Sequence, residues 1–354
     1  MNKSRLGAAA VLGLWLCAAP ESAARVTENV VLVTLDGARW QEIFTGADAT
    51  LLKAPSPFSA ATAEERREKL MPFLWKTLVK DHGFIVGNRN NGSRMSVTNR
   101  HWFSYPGYSE ILTGQAHDDT IENNDPKRNP YPSVLQFLRR KLNVDKSKVA
   151  VFASWHVFPW IVENNEGEIT ANAGLQRYES SDRGVRVLND LMLDTPTGWD
   201  GVRHDVYTFR FGLDYLRRVR PRALYFAFDE SDDFAHDGKY DRVLEALHRT
   251  DGFLRQLWDT LQQHPTYRGR TSLIVTVDHG RGRTSEDWRN HGAKVAGADE
   301  IWMAIASPDI ARRGEWRDHP PLFQNQIAAT MADLLGFDYR EQNPGAGAPI
   351  LTER

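Results

Sequence analysis

Six side chains suited to holding a divalent cation follow or neighbour apolar runs in this sequence. Asp36 follows Val30–Leu35 (VVLVTL), and Asp232 with His236 follows Ala223–Phe228 (ALYFAF). Asp278 and His279 follow Ser272–Val277 (SLIVTV), and His291 lies in the polar loop beyond. Carboxylate oxygens and imidazole nitrogens without thiolates suit zinc or another divalent ion near neutral pH. Asp232 and His236 are four residues apart, which on a helical turn places both on one face. Asp278-His279-Gly280 sets an oxygen and a nitrogen ligand side by side, with Gly280 permitting the tight turn that aims both at one point. Singly, each has an ordinary reading, since a strand-end Asp caps turns and a lone loop His is solvated. Together on one sheet edge they can hold two metals, which roughly 4 Å apart clamp the attacking and leaving oxygens of an in-line phosphoryl displacement. The nucleophile for such a reaction is a hydroxyl. Ser104, followed by Tyr105-Pro106-Gly107 and an apolar stretch to Thr113-Gly114, stands at the start of a predicted helix. There the helix dipole and a metal both favour its alkoxide, and Pro106 suits a first helical turn.

The elements that must position these residues are legible as patterns. The three apolar runs are continuous and rich in β-branched or aromatic residues, as expected of strands buried on both faces. Two more strands are expected at Val149–Phe152 and Trp302–Ala306. Apolar spacings of three and four predict helices over Glu64–Lys80, Ser133–Leu142, Val206–Arg218 and Asp241–Gln263. This βαβ alternation predicts an α/β fold with a mostly parallel sheet covered by helices, its ligands bound at the carboxyl ends of the strands. Asn88–Arg100 and Asp118–Pro132, rich in Asn, Gly, Pro and charge, read as loops above the sheet. Residues 155–205 are the place for a small cap over the site, and the aromatic run Trp155, Phe158, Trp160 reads as core or cap packing, with stacking on a carbohydrate or nucleoside the alternative.

The chain has 354 residues, enough for one large domain. Lys plus Arg number 44 against 46 Asp plus Glu, with no basic block, so no nucleic-acid-binding surface is evident. Residues 1–24 combine a short basic start (Lys3, Arg5), the apolar run Leu6–Ala19 and small residues at Ser22-Ala23-Ala24, the pattern of a cleavable secretory signal. The run is shorter than the roughly 20 residues a bilayer span needs, so no permanent membrane span is expected. Cys17, the one cysteine, falls within this leader, so residues 25–354 carry no disulfide or thiolate site.

The string Ser104-Tyr-Pro-Gly-Tyr-Ser-Glu-Ile-Leu-Thr113-Gly114 resembles the nucleophile helix of the alkaline phosphatase superfamily, where the nucleophile lies nine residues before a Thr-Gly pair. Leu35-Asp36-Gly37-Ala38-Arg39, Asp232-Asp-Phe-Ala-His236, Asp278-His279-Gly280 and His291-Gly292 resemble the metal motifs of its nucleotide pyrophosphatase/phosphodiesterase branch, in the same order. The resemblance implies an alkaline-phosphatase-like α/β core over residues 25–354 and two divalent ions, zinc in kind. It assigns Asp36, Ser104, Asp278 and His279 to one ion, and Asp232, His236 and His291 to the other. Asn124 resembles the phosphate-contacting Asn, although neighbouring Asn123 leaves the register open. Ser109-Glu110 is similar to the Ser-Glu of metal-dependent phosphoglycerate mutases, so Ser109 stands as a second nucleophile candidate.

Departures narrow the expectation. Tyr108 occupies the position where sulfatases require an Arg for formylglycine formation, and no Arg matches the phosphate-holding guanidinium of alkaline phosphatases themselves. The expected activity is hydrolysis of a small phosphorylated substrate, diester or monoester, outside the cytoplasm: periplasmic or secreted. The rivals are a noncatalytic phospho-ligand-binding protein with the same fold and a mutase-like phosphotransferase. The leader has its own test. N-terminal sequencing of exported protein should read from near Arg25, and retention of residues 1–24 in a membrane fraction would show an anchor instead.

Overall fold

The computed structural model describes residues 25–350, and the leader read at residues 1–24 lies outside them. Its strands are β1 (Asn29–Leu35), β2 (Gly83–Val86), β3 (Met95–Ser96), β4 (Val149–Ala153), β5 (Thr170–Ala173), β6 (Ala223–Phe228), β7 (Thr271–Thr276), β8 (Glu300–Ile301), β9 (Met303–Ala306), β10 (Gly314–Glu315) and β11 (Leu322–Phe323). Eight of them form one sheet in the order β10-β2-β9-β7-β1-β6-β4-β5, and β11-β3-β8 form a small second one. β7, β1, β6, β4 and β5 are parallel neighbours. β9 alone runs against the rest, pairing antiparallel with both β7 and β2. An antiparallel return needs no crossover helix, so the chain can spend the residues between β7 and β9 on loops over the sheet edge.

The apolar runs form strands because both faces are covered. Every residue of β1, β6 and β7 is buried. Their register sets Leu35 beside Phe228 and Thr34 beside Thr276, so the polar residues that follow leave the sheet at one level. β1 lies between β6 and β7, and the chain goes from it first to one side of the sheet and later to the other. That reversal is the topological switch point at which open α/β sheets bind ligands.

Three of the predicted helices form within a residue of the expected bounds: Val134–Leu142, Asp205–Val219 and Tyr240–Gln263. Ser133 caps the first of them in a capping box with Gln136. The helix expected over Glu64–Lys80 is two pieces, Ala63–Leu70 and a π-helical Leu74–His82. Pro72 lies at the break, where its missing N–H and ring stop the first helix, and Asp251 accepts from the Phe73 and Leu74 amides at 2.8 Å to start the second. The expected strand Trp302–Ala306 forms as β9 from Met303, and Trp302, whose indole donates to the Ala38 carbonyl at 2.9 Å, separates it from the preceding β8. Within residues 155–205, β5 is the edge strand of the main sheet, flanked in sequence by the helices Phe158–Ile161 and Arg183–Asp194. No helix among the described residues is long and apolar enough to cross a membrane.

The helix Ser104–Thr113 lies directly on the end of β7. A Cβ placed on Gly107 would come within 2.4 Å of the Asp278 carbonyl oxygen, so only glycine allows this approach. Gly107→Ala should therefore cost about 1–3 kcal/mol of stability through overpacking, read as a lower midpoint in urea. An unchanged midpoint would show that the helix can ride away from Asp278 freely.

Candidate active site

Asp36 leaves β1 fully buried, with Gly37 behind it at φ +57°. A side chain at position 37 would collide with Asp232 Oδ1 and with Arg281 Nε, so this glycine serves both the turn and the packing of the site. Asp232 and His236 lie on the helix Glu230–His236, one turn apart, with His236 Nε2 at 3.0 Å from Asp232 Oδ2. The N-terminus of that helix is held by Asp205, which accepts from the Asp229 and Glu230 amides at 2.9 and 3.2 Å. Asp278 and His279 follow β7, both fully buried. His291, on the loop after them, brings its Nε2 to 2.9 Å from His236 Nε2, and its ring stacks on that of His279 with centroids 4.0 Å apart.

The six predicted ligands thus converge. His279 Nε2 lies 3.3 Å from Asp36 Oδ1 and 3.3 Å from Asp278 Oδ2. Two groups of donors each close on a point, Asp36–Asp232–His279 and Asp232–His236–His291, with Asp232 shared between them. The resemblance had set Asp232 with the second group alone. Ser104, at the first turn of its helix, lies with Oγ 3.5 Å from His279 Nε2. Asn124 Oδ1 accepts from the Tyr105 amide at 3.0 Å, which places Asn124 beside Ser104, whereas Asn123 Oδ1 is engaged by the Asp125 amide. Ser104, Asn124, Asp232, His236 and His291 line one cavity of about 230 Å³, together with Trp155, Trp199 and Asp200.

Ser109 is absent from that lining. It is buried on another face of the helix, and its hydroxyl accepts from Asn129 Nδ2 at 3.0 Å. Arg39 of the first motif also turns elsewhere, donating to the Gly282 carbonyl at 3.0 Å and pairing with Glu42. In the Asn88–Arg100 loop the Asn88 and Asn91 side-chain amides both donate to Glu315.

The electrostatics suit a cation. Burial drives the Asp36 and Asp278 carboxyls well above the usual range, and neighbouring carboxylates push them further, Asp232 on Asp36 and Asp36 on Asp278. Burial works the same way on Asp232, but Arg281, His236 and His291 outweigh it and hold that carboxyl well below the usual range. Burial lowers His279 to about 4 and His291 to about 2, so both rings are neutral near pH 7 and offer lone pairs. The Nδ1 of His279 faces the Gly280 carbonyl at 2.9 Å, the bond that leaves Nε2 as the ligand nitrogen. Among the described residues, none donates a hydrogen bond to the buried Asp36 Oδ1 or Asp278 Oδ2. Such oxygens, beside neutral imidazoles, fit a divalent metal centre.

Three residues at this site were not assigned to it individually from the sequence. Arg281 is buried, donates to the Asp232 carbonyl at 3.0 Å, and also contacts Asp232 Oδ1 and the Arg289 carbonyl. Its place two residues after His279 was the one available clue. Tyr108 donates to Asp36 Oδ2 at 2.8 Å. Trp199, within the segment 155–205 expected over the site, reaches the cavity from a loop.

A sheet of this order with these donors at the ends of β1, β6 and β7 defines a member of the alkaline phosphatase superfamily. The chain belongs to the type I phosphodiesterase / nucleotide pyrophosphatase family, whose model matches residues 75–309. Among solved structures it is similar to the lipoteichoic acid synthase LtaP from Listeria monocytogenes, at 12% identity and TM-score 0.58, covering 92% of this chain and 76% of that one. A phosphonate monoester hydrolase from Silicibacter pomeroyi matches at 13% identity and TM-score 0.55, covering 92% and 76%. A protein in the alkaline phosphatase superfamily from Vibrio parahaemolyticus matches at 14% and 0.55, covering 92% and 71%. At these identities the likeness is one of fold. No curated protein matches the sequence.

The Tyr108 hydroxyl fixes the rotation of the Asp36 carboxylate, and partners of this kind are worth about 10–100-fold in metal affinity. Tyr108→Phe should weaken zinc binding by that factor in equilibrium dialysis. Unchanged affinity would mean that packing alone orients Asp36.

Proposed function

We propose that this protein is an exported phosphoric ester hydrolase, phosphodiesterase or phosphomonoesterase, working through a phosphoserine at Ser104 in a site that holds two divalent ions, with zinc the ion its donors suit best. The observation that carries this reading is the convergence of Ser104 with two groups of metal donors at one cavity. When bound, the ions supply the positive charge that favours the ionised serine and stabilises the leaving oxygen. Ser104 Oγ, its proton given up to solvent, attacks phosphorus in line, the P–O ester bond breaks with the leaving oxygen on the opposite side taking up a proton from solvent, and the phosphoryl group is now on the serine. Asn124, whose Oδ1 is taken by the Tyr105 amide, keeps its side-chain nitrogen to donate to a phosphoryl oxygen. Water then attacks the phosphoserine phosphorus, the bond from phosphorus to Ser104 Oγ breaks, and one proton of the water restores the Ser104 hydroxyl as phosphate or the phosphomonoester is released.

The fit of the donors to metal leads to a paired experiment. Protein stripped by a chelator should lose turnover of a p-nitrophenyl phosphodiester and phosphomonoester and regain it with about two equivalents of zinc. Ser104→Ala should retain its metal and lose turnover by roughly 10³-fold or more, because a bond made only in the transition state is gone. Rapid quench with labelled substrate should place phosphate on Ser104. Full activity after verified metal removal, or label on Ser109, would overturn the metal or the nucleophile assignment respectively. Binding of substrate with no turnover under any metal would favour a noncatalytic role.

A further inference from the structure

Glu110 is a buried carboxylate that neither group of metal donors uses. It lies on the same helix as Ser104, on a face away from the cavity. Its two oxygens take the Thr98 amide at 2.9 and 3.1 Å, the Thr98 hydroxyl at 2.9 Å, and both the backbone amide and the side-chain nitrogen of Asn99 at 2.8 Å. Asn99, itself buried, passes the constraint on, its Oδ1 accepting from the His101 amide at 3.1 Å and the Trp102 amide at 3.0 Å. Trp102 has φ +55°, in the left-handed region that a bulky residue seldom occupies. Phe103 then returns to extended backbone at φ −148°, and Ser104 opens the helix.

The body of the helix is held by packing and by the Tyr105 and Tyr108 hydroxyls, but the turn that leads into it is not. Phe103 contributes no side-chain cap, and the Asn124 contact to the Tyr105 amide comes from an exposed residue. A left-handed non-glycine residue is strained and persists only where its surroundings over-determine it. A fully buried carboxylate, in turn, is tolerated only when donors surround it. Each unfavourable feature here is stabilised by the other, and both lie in the six residues before the nucleophile and the six after it.

We propose that Glu110 is a positioning residue for Ser104: through Asn99 it holds the strained turn at Trp102 that sets where the nucleophile's helix begins. This rests on Ser104 being the nucleophile. The clamp acts on the attack of Ser104 on phosphorus, since the direction of Oγ depends on the backbone at residues 102–104. Burial holds the Glu110 carboxyl above its ordinary value, and the bonds from Thr98 and Asn99 offset part of that rise.

The experiment is pre-steady-state phosphorylation of Glu110→Gln in the metal-loaded enzyme, with metal content and melting temperature measured alongside. Displacement of a nucleophile by about 1 Å costs on the order of 10²-fold. The expected result is phosphoserine formation slowed by about that factor, with KM, metal equivalents and the rate of phosphoserine hydrolysis near wild-type. Trp102→Gly supplies the control, because glycine takes φ +55° without steric cost. In that background Glu110→Gln should slow phosphorylation far less. If Glu110→Gln does not fold, Asn99→Ala interrupts the same relay while leaving the carboxylate its Thr98 and backbone donors, and is read by the same rates. Phosphorylation within about threefold of wild-type, with only a lower melting temperature, overturns the positioning role and leaves Ser104 as the nucleophile. Absence of phosphoserine in the wild-type enzyme instead overturns the nucleophile assignment on which the proposal rests.

Discussion

Three carboxylates buried at one point, Asp36, Asp232 and Asp278, are the constraint around which this protein is built. Ionised side chains in a low-dielectric interior are unfavourable unless donors or cations face them. The chain supplies a partial answer of its own: the Tyr108 hydroxyl and Gly37 amide to Asp36 and Asp278, and the Arg281 guanidinium to Asp232. Among the described residues, none donates to Asp36 Oδ1 or Asp278 Oδ2. A site whose own hydrogen bonds fall short of its negative charge, and whose neighbouring imidazoles burial keeps neutral, is arranged to be completed by positive charge from outside.

The rest of the fold follows from holding that point still. β1, β6 and β7 are the interior neighbours of the sheet, so the loops at their carboxyl ends cannot drift apart without breaking paired strands. Glycine appears where chains must nearly touch: Gly37 beneath Asp232 and Arg281, and Gly107 against the Asp278 carbonyl. Arg281 ties the helix carrying Asp232 to the loop that carries His291, by bonding the Asp232 and Arg289 carbonyls. Backbone, glycine and guanidinium thus do together what no one motif could.

The cavity beside Ser104 has a different character from the centre. Trp155 and Trp199 come from loops after β4 and before the helix Asp205–Val219, regions free to vary without disturbing the sheet. These two tryptophans add to the cavity a lining that comes from neither the strands nor the metal donors.

The sequence by itself determined the strand ends and the kind of chemistry. Apolar runs buried on both faces are continuous in sequence, and the polar residue that ends each run must emerge where the strand does, so Asp36 and Asp278 could be placed without coordinates. The spacing of Asp232 and His236 likewise fixed their shared face. Only the tertiary structure decided which donors share a point: Asp232 between both groups, Asn124 and not Asn123 beside Ser104, Ser109 turned away. Those facts depend on rotations and on contacts between segments far apart in the chain, which no local pattern encodes. Arg281 and Glu110 were hidden for the same reason, since a buried charge acquires its meaning from what surrounds it. The break at Pro72 shows the converse, where apolar periodicity ran straight through a residue whose ring and missing N–H stop a helix.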